Sequence, residues 1–134
     1  MPFNASITVG LRGSARQEVN ETNTALAYGS GSINVFATPA MIGLMEKAAL
    51  SSVDRLLPEG YTTVGIKVDV QHLAATPLGG VVEARSELRE IDGRRLVFAV
   101  EAYDDRELVG KGTHERFIVP TEKFLQKVAG KLNN

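Results

Sequence analysis

Five side chains in this sequence have the chemistry of a reactive site: Thr38, Glu46, His72, His114 and Arg116. Glu46 raises the first question, because it stands in "FATPAMIGLMEKAAL", residues 36–50, an apolar run with Met45, Ala48, Ala49 and Leu50 around it. Burying a lone carboxylate costs several kcal/mol unless it is paired or protonated, so Glu46 demands a partner. Arg116 is the obvious cation for a purely structural salt bridge. Thr38 precedes Pro39 at the head of the run and reads as a helix N-cap. His72 closes an alternating apolar segment and reads by itself as a core histidine. Together, however, a hydroxyl, an imidazole and a buried carboxylate are the parts of an activated nucleophile or an activated water. The carboxylate, Glu46, would orient His72, and His72 would take a proton from Thr38 or from water. A threonine at a helix N-terminus also stands where free N–H groups and the helix dipole stabilise a developing oxyanion. That favours acyl transfer or hydrolysis, provided the three residues converge in space.

The rest of the chain narrows the choice by exclusion. With 134 residues the chain has the length of one domain, residues 1–134. A net charge of −1 offers no basic excess for nucleic acid or anionic lipid. No cysteine is present, which removes thiolate metal sites, disulfides and cysteine nucleophiles, and two histidines are too few for a multi-histidine metal centre. No metal and no cofactor are expected. The start "MPFNASITVG" carries neither a basic segment nor a long apolar run, and nothing is long enough to span a membrane, so the expected location is the cytoplasm.

The elements that must position the five residues follow from periodicity. From Thr38 to about Leu57, Met41, Leu44, Met45, Ala48, Ala49, Val53, Leu56 and Leu57 recur at spacings of three and four, which predicts a long buried helix. Before it, "AYGSGSINV" at 27–35 is a small-residue loop after an N-terminal strand. "LLPEG" stops the helix, and the next segment alternates, with Val64, Ile66, Val68, Val70 and His72 on the buried face and Lys67, Asp69 and Gln71 opposite. Residues 81–91 alternate again, with Val82, Ala84, Ser86 and Leu88 inward. Asp92-Gly93 closes a hairpin into "RRLVFAVEAY". "DDRE" leads to "LVGKGTHERFIV", and "PTEKFLQKVAGK" reads as a terminal helix. A strand, a long helix and four further strands predict an α+β fold in which one antiparallel sheet wraps a helix, the hotdog pattern. Ala40, Gly43, Ala48 and Ala49 are the small residues expected to let strands approach the helix. One small sheet leaves an edge exposed, and pairing two edges in a homodimer removes it.

The motifs "VFATPAMIGLMEKAA", "HLAATP", "IDGRRLVFAVEAYD" and "GTHERFIV…EKF" closely resemble the fluoroacetyl-CoA thioesterase family of single-hotdog enzymes, from about Val35 to the C-terminus, with a weaker match at "VGLRG". The resemblance implies hydrolysis of a small acyl-CoA thioester by a homodimer with sites near the subunit interface. It implies a catalytic set of Thr38, Glu46 and His72, with Gly65 and Arg116 associated with ligand binding and Phe36 and His72 as further substrate contacts. The chain departs from the family in its shorter loop between first strand and helix, "ALAYGSGSINV", with only Tyr28 before Phe36. Arg85, Arg89, Arg94 and Arg95 are candidates for the CoA phosphates, although charges on an outer strand face are usually only solvated. The alternatives from other classes are a noncatalytic acyl-CoA-binding hotdog protein and a structural dimer in which Glu46 and His72 form an internal polar pair.

Overall fold

A computed structural model describes residues 6–133. The expected span of 1–134 thus runs past it at residues 1–5 and 134, which lie outside the described residues. Five strands, β1 (Arg12–Glu18), β2 (Tyr61–His72), β3 (Val81–Asp92), β4 (Arg95–Tyr103) and β5 (Leu108–Pro120), form one antiparallel sheet in the order β1-β3-β4-β5-β2. The helices are α1 (Ala25–Tyr28), α2 (Thr38–Val53) and α3 (Thr121–Ala129).

The apolar stripe of α2 is the reason the sheet curls. Met41, Leu44, Met45, Ala48, Ala49 and Val53 are buried against Val82, Leu88, Leu96, Phe98, Val100 and Val109 of the sheet. The helix lies chiefly over β1 and β3. Close approach is set from the strand side: a Cβ on Gly13 of β1 would collide with the Ala48 carbonyl oxygen, and one on Gly110 of β5 with Met41. Gly43, expected to serve this purpose, is exposed and has open space where a Cβ would stand. The small residues that matter on α2 are the buried alanines.

The helix ends at Val53, earlier than about Leu57, and a 3₁₀ turn, Asp54–Leu56, follows. The Asp54 carboxylate pins this turn to β2 by accepting from Thr62 Oγ1, the Thr63 amide and Thr63 Oγ1. At the other end Ala37 is the N-cap, Thr38 the first helical residue and Pro39 the second. Thr38 therefore does not cap the helix, which leaves its hydroxyl available for another partner.

β2 corrects the sequence reading of its faces. The register with β5 slips between Gly65 and Lys67, so Ile66 is a bulge and the alternation changes parity there. Gly65 pairs with Arg116, Val68 with His114, Val70 with Gly112 and His72 with Gly110, which places Gly65, Val68, Val70 and His72 on the helix side. Val64, paired with Phe117, lies on the outer face instead, and Ile66 is 51% exposed. The bulge is what lets Gly65 and His72 share one face although they are an odd number of residues apart.

Candidate active site

Thr38 and His72 meet where the start of α2 abuts the end of β2. Thr38 Oγ1 and His72 Nδ1 are 2.8 Å apart, a hydrogen bond. Thr38 and Ala40 open the helix with N–H groups that have no intrahelical acceptor, and Pro39 has none to offer. A hydroxyl on an imidazole beside an unsatisfied helix N-terminus is a base, a nucleophile or water-positioning group, and an oxyanion site in one corner. The opposite ring atom, His72 Nε2, is buried and has no hydrogen-bond partner among the described residues. Burial holds the His72 pKa below its ordinary 6.5, with the Ala74 backbone opposing the shift. The pair opens into a cleft of about 390 Å³ walled by Ala25, Val35, Phe36, Leu73, Ala74 and Ala75. Phe36 itself is buried, so it forms a wall and not a rim.

Glu46 is elsewhere. Its Oε2 lies 2.7 Å from the place a Cβ on Gly65 would take, with His114 Cε1 at 3.2 Å and an Arg116 terminal nitrogen at 3.4 Å from the same point. Eight residues of helix separate it from Thr38, about 12 Å of rise. Seven residues of strand separate Gly65 from His72, on the order of 20 Å. Within this chain Glu46 therefore does not orient His72: helix rise and strand length hold Glu46 near the middle of β2 and His72 at its end.

What Glu46 faces is a buried basic cluster. His114 Nδ1 donates to the Lys67 carbonyl at 2.8 Å, so the proton is on Nδ1, and Nε2 accepts from an Arg116 N–H at 3.1 Å. Both bonds require a neutral ring, and burial first, then the Arg116 charge, lower its pKa against the opposing Lys67 carbonyl. Arg116 also donates from Nε to Thr63 Oγ1 at 2.8 Å and from its other terminal nitrogen to the Thr63 carbonyl at 3.0 Å. Burial lowers the Arg116 pKa, while Asp54 and Glu46 oppose that shift. The structure thus gathers the five candidates as two sets, Thr38 with His72, and Glu46 with His114 and Arg116, the second set lying against Gly65. Thr63 and Asp54, which hold Arg116, had no signal in the sequence, since "TT" at a strand start and an acid after a helix are common.

The four arginines considered for CoA phosphates lie on or beside the outer face. Arg85 pairs with Glu83 and stacks over Tyr103, Arg89 pairs with Glu87, and Arg95 is held by Glu115, Glu90 and Asp92. Those contacts engage Arg85, Arg89 and Arg95.

The fluoroacetyl-CoA-specific thioesterase family, FlK, matches residues 19–122. A fluoroacetyl-CoA thioesterase of Streptantibioticus cattleyicolor is 44% identical over 97 residues, which cover 72% of this chain and 70% of that protein. Among solved structures, an FlK variant in complex with acetyl-CoA superposes with a TM-score of 0.86 at 37% identity, covering 93% of this chain and 98% of that one. A hot-dog-like protein from Thermanaerovibrio acidaminovorans superposes with a TM-score of 0.90 at 26% identity, covering 100% and 99%. With a curled five-stranded sheet around α2 and a hydroxyl–imidazole pair at the helix start, the chain belongs to the fluoroacetyl-CoA-specific thioesterase family of hotdog proteins.

Proposed function

We propose that the protein hydrolyses an acyl-CoA thioester as a homodimer whose two sites each take Thr38 and His72 from one subunit and Glu46 from the other. The observation that carries this reading is the Thr38–His72 hydrogen bond at the helix start with His72 Nε2 left buried and unpartnered. A buried polar nitrogen of this kind calls for an acceptor, and a carboxylate there would complete the set.

The edge strand β2 supports a source for that carboxylate. It is 12 residues long, its outer edge is unpaired among the described residues, and Ile66 and Val68 are exposed along it. Antiparallel pairing of β2 with its own copy about a two-fold axis at Asp69 sets Val68 opposite Val70 and, because Ile66 is an extra residue in the ladder, Gly65 of one subunit opposite His72 of the other. Opposed Cα atoms in such a pair are about 5 Å apart and their side chains share a face. Glu46, which rests on Gly65, then reaches the partner subunit's His72.

In the proposed reaction Thr38 O–H, or a water held beside it, gives its proton to His72 Nδ1 as its oxygen attacks the thioester carbon. The N–H groups of the first turn of α2 stabilise the oxyanion, and the imidazolium returns the proton to the leaving CoA sulfur. The partner subunit's Glu46 favours that imidazolium by its charge. If Thr38 is the nucleophile, a second cycle with water releases the acid. No step calls for a cofactor or metal.

Release of free thiol from a panel of acyl-CoAs tests this. His72→Ala is expected to lower turnover by about 10²–10⁴ with the fold retained. Tight acyl-CoA binding with no thiol release from any member would favour the noncatalytic acyl-CoA-binding reading.

A further inference from the structure

The cleft at Thr38 and His72 is bounded by two segments without a single Asp, Glu, Lys or Arg, one between Glu21 and Glu46 and one between His72 and Glu83, in a chain that is 23% charged. Leu73 of the cleft wall is 48% exposed, and the segment that supplies Ala25 and Val35 to the wall carries two more large apolar side chains in water, Leu26 at 54% and Ile33 at 64%. The last two belong to one pinned surface. Leu26 N bonds Ile33 O and Ala25 N bonds Val35 O, while Phe36 N bonds Thr76 O and Val35 bridges Pro77, so α1 and residues 33–36 are stitched to each other and to the far wall. Gly29, at φ 72°, closes α1 as its left-handed cap.

We propose that the acyl group taken here is an uncharged, apolar chain longer than fluoroacetyl, lying along Val35 and Leu73 and over the Leu26–Ile33 rim. The proposal rests on the thioesterase reading of the Thr38–His72 pair and names the substrate class of that site. Three observations converge on it. Alanines at 25, 74 and 75 keep the cleft of about 390 Å³ open beside the Thr38–His72 pair, with room for more than the thioester carbon alone. An exposed apolar patch continuous with a cleft is surface that a ligand's apolar part can cover. The pantetheine arm of CoA carries two amides that require hydrogen-bond partners, which leucine and isoleucine do not offer, so the rim suits the acyl end. The same absence of charge disfavours dicarboxylic acyl groups, whose free carboxylate would lose water without gaining a cation.

The test is calorimetric binding of acetyl-, hexanoyl- and succinyl-CoA to the His72→Ala protein, alongside kcat/KM of the unmutated protein for acetyl-, fluoroacetyl- and hexanoyl-CoA. Every ligand carries the same arm, so differences report on the acyl seat. Hexanoyl-CoA is expected to bind at least about tenfold tighter than acetyl-CoA, since each methylene against an apolar wall contributes roughly three- to fourfold when fully covered and the rim covers one side. Succinyl-CoA is expected to bind no tighter than acetyl-CoA, and Ile33→Ser should shrink the hexanoyl gain several-fold. Equal affinity for acetyl- and hexanoyl-CoA, or a kcat/KM that favours fluoroacetyl- over hexanoyl-CoA, overturns the proposal. So does an Ile33→Ser protein with unchanged chain-length dependence and a smaller sedimenting mass, which would mean that another copy of the chain covers the rim. If the unmutated protein hydrolyses nothing, the catalytic reading falls while the affinity series still decides the seat.

Discussion

Glu46 and Gly65 fit each other: the carboxylate Oε2 of Glu46 occupies the ground next to the strand that any side chain at position 65 would need, 2.7 Å from an ideal Cβ. The obstructing atom is the end of a flexible side chain, so a methyl group there displaces the carboxylate and leaves the backbone in place. Gly65→Ala is therefore expected to lower turnover by about tenfold or more while the melting temperature shifts by only a few degrees. Glu46→Gln, which keeps the volume and removes the charge, should lower turnover at least as far with the fold retained. Turnover and melting temperature measured on the same preparations check both, and an active but destabilised Glu46→Gln protein would mean that Glu46 only balances Arg116.

Arg116 is a larger structural commitment than Glu46. Replacing it by Met leaves the Thr63 carbonyl, Thr63 Oγ1 and His114 Nε2 without their donors in a buried site. Each such loss costs about 1–3 kcal/mol, so Arg116→Met is expected to destabilise by about 3 kcal/mol or more and to lower the melting temperature by about 10 °C. Urea unfolding measures the difference directly, and a change within about 0.5 kcal/mol, the ordinary size for surface substitutions, would show that the cluster is solvated in solution.

The two histidines set the acid limits. A base must be neutral to accept a proton, so kcat/KM is expected to decline as pH falls through the His72 pKa, which burial lowers and the partner subunit's Glu46 raises. His114 acts on stability. Its folded pKa is below 6.5, so under that pH the unfolded chain binds a proton that the folded chain does not. Its stabilising contribution is whole above 6.5 and falls as pH drops from 6.5 to the folded pKa. Imidazole NMR titration checks this, and a His114 ring titrating above 6.5 would contradict the burial given to it here.

Most of this architecture was legible in the sequence because hydrophobic period dominates it: the α2 stripe, the inward set of β3 from Val82 to Leu88 and the Asp92-Gly93 hairpin all stand where patterning put them. β2 was misread because its bulge is silent. Val64, Ile66, Val68 and Val70 remain apolar across the slip, so alternation continues in the sequence while it changes face in space. Thr38 was legible as a residue at the helix start, but the one-position difference between capping and opening the helix, which frees its hydroxyl for His72, was not. The separation of Glu46 from His72 was hidden for another reason, since spacing along a helix and along a strand does not say which end of one faces which end of the other.

The shared site is the central claim, and subunit mixing tests it most directly. Thr38→Val protein and Glu46→Gln protein, each expected to be nearly inactive, are unfolded together and refolded at equal concentration. If each site takes Thr38 and His72 from one subunit and Glu46 from the other, half of the dimers are mixed and each mixed dimer holds one intact site, so activity should recover to about one quarter of the unmutated level. If all three residues act within one chain, or the protein works as a monomer, no mixture contains an intact site, and activity that stays at the level of the separate variants would contradict the account.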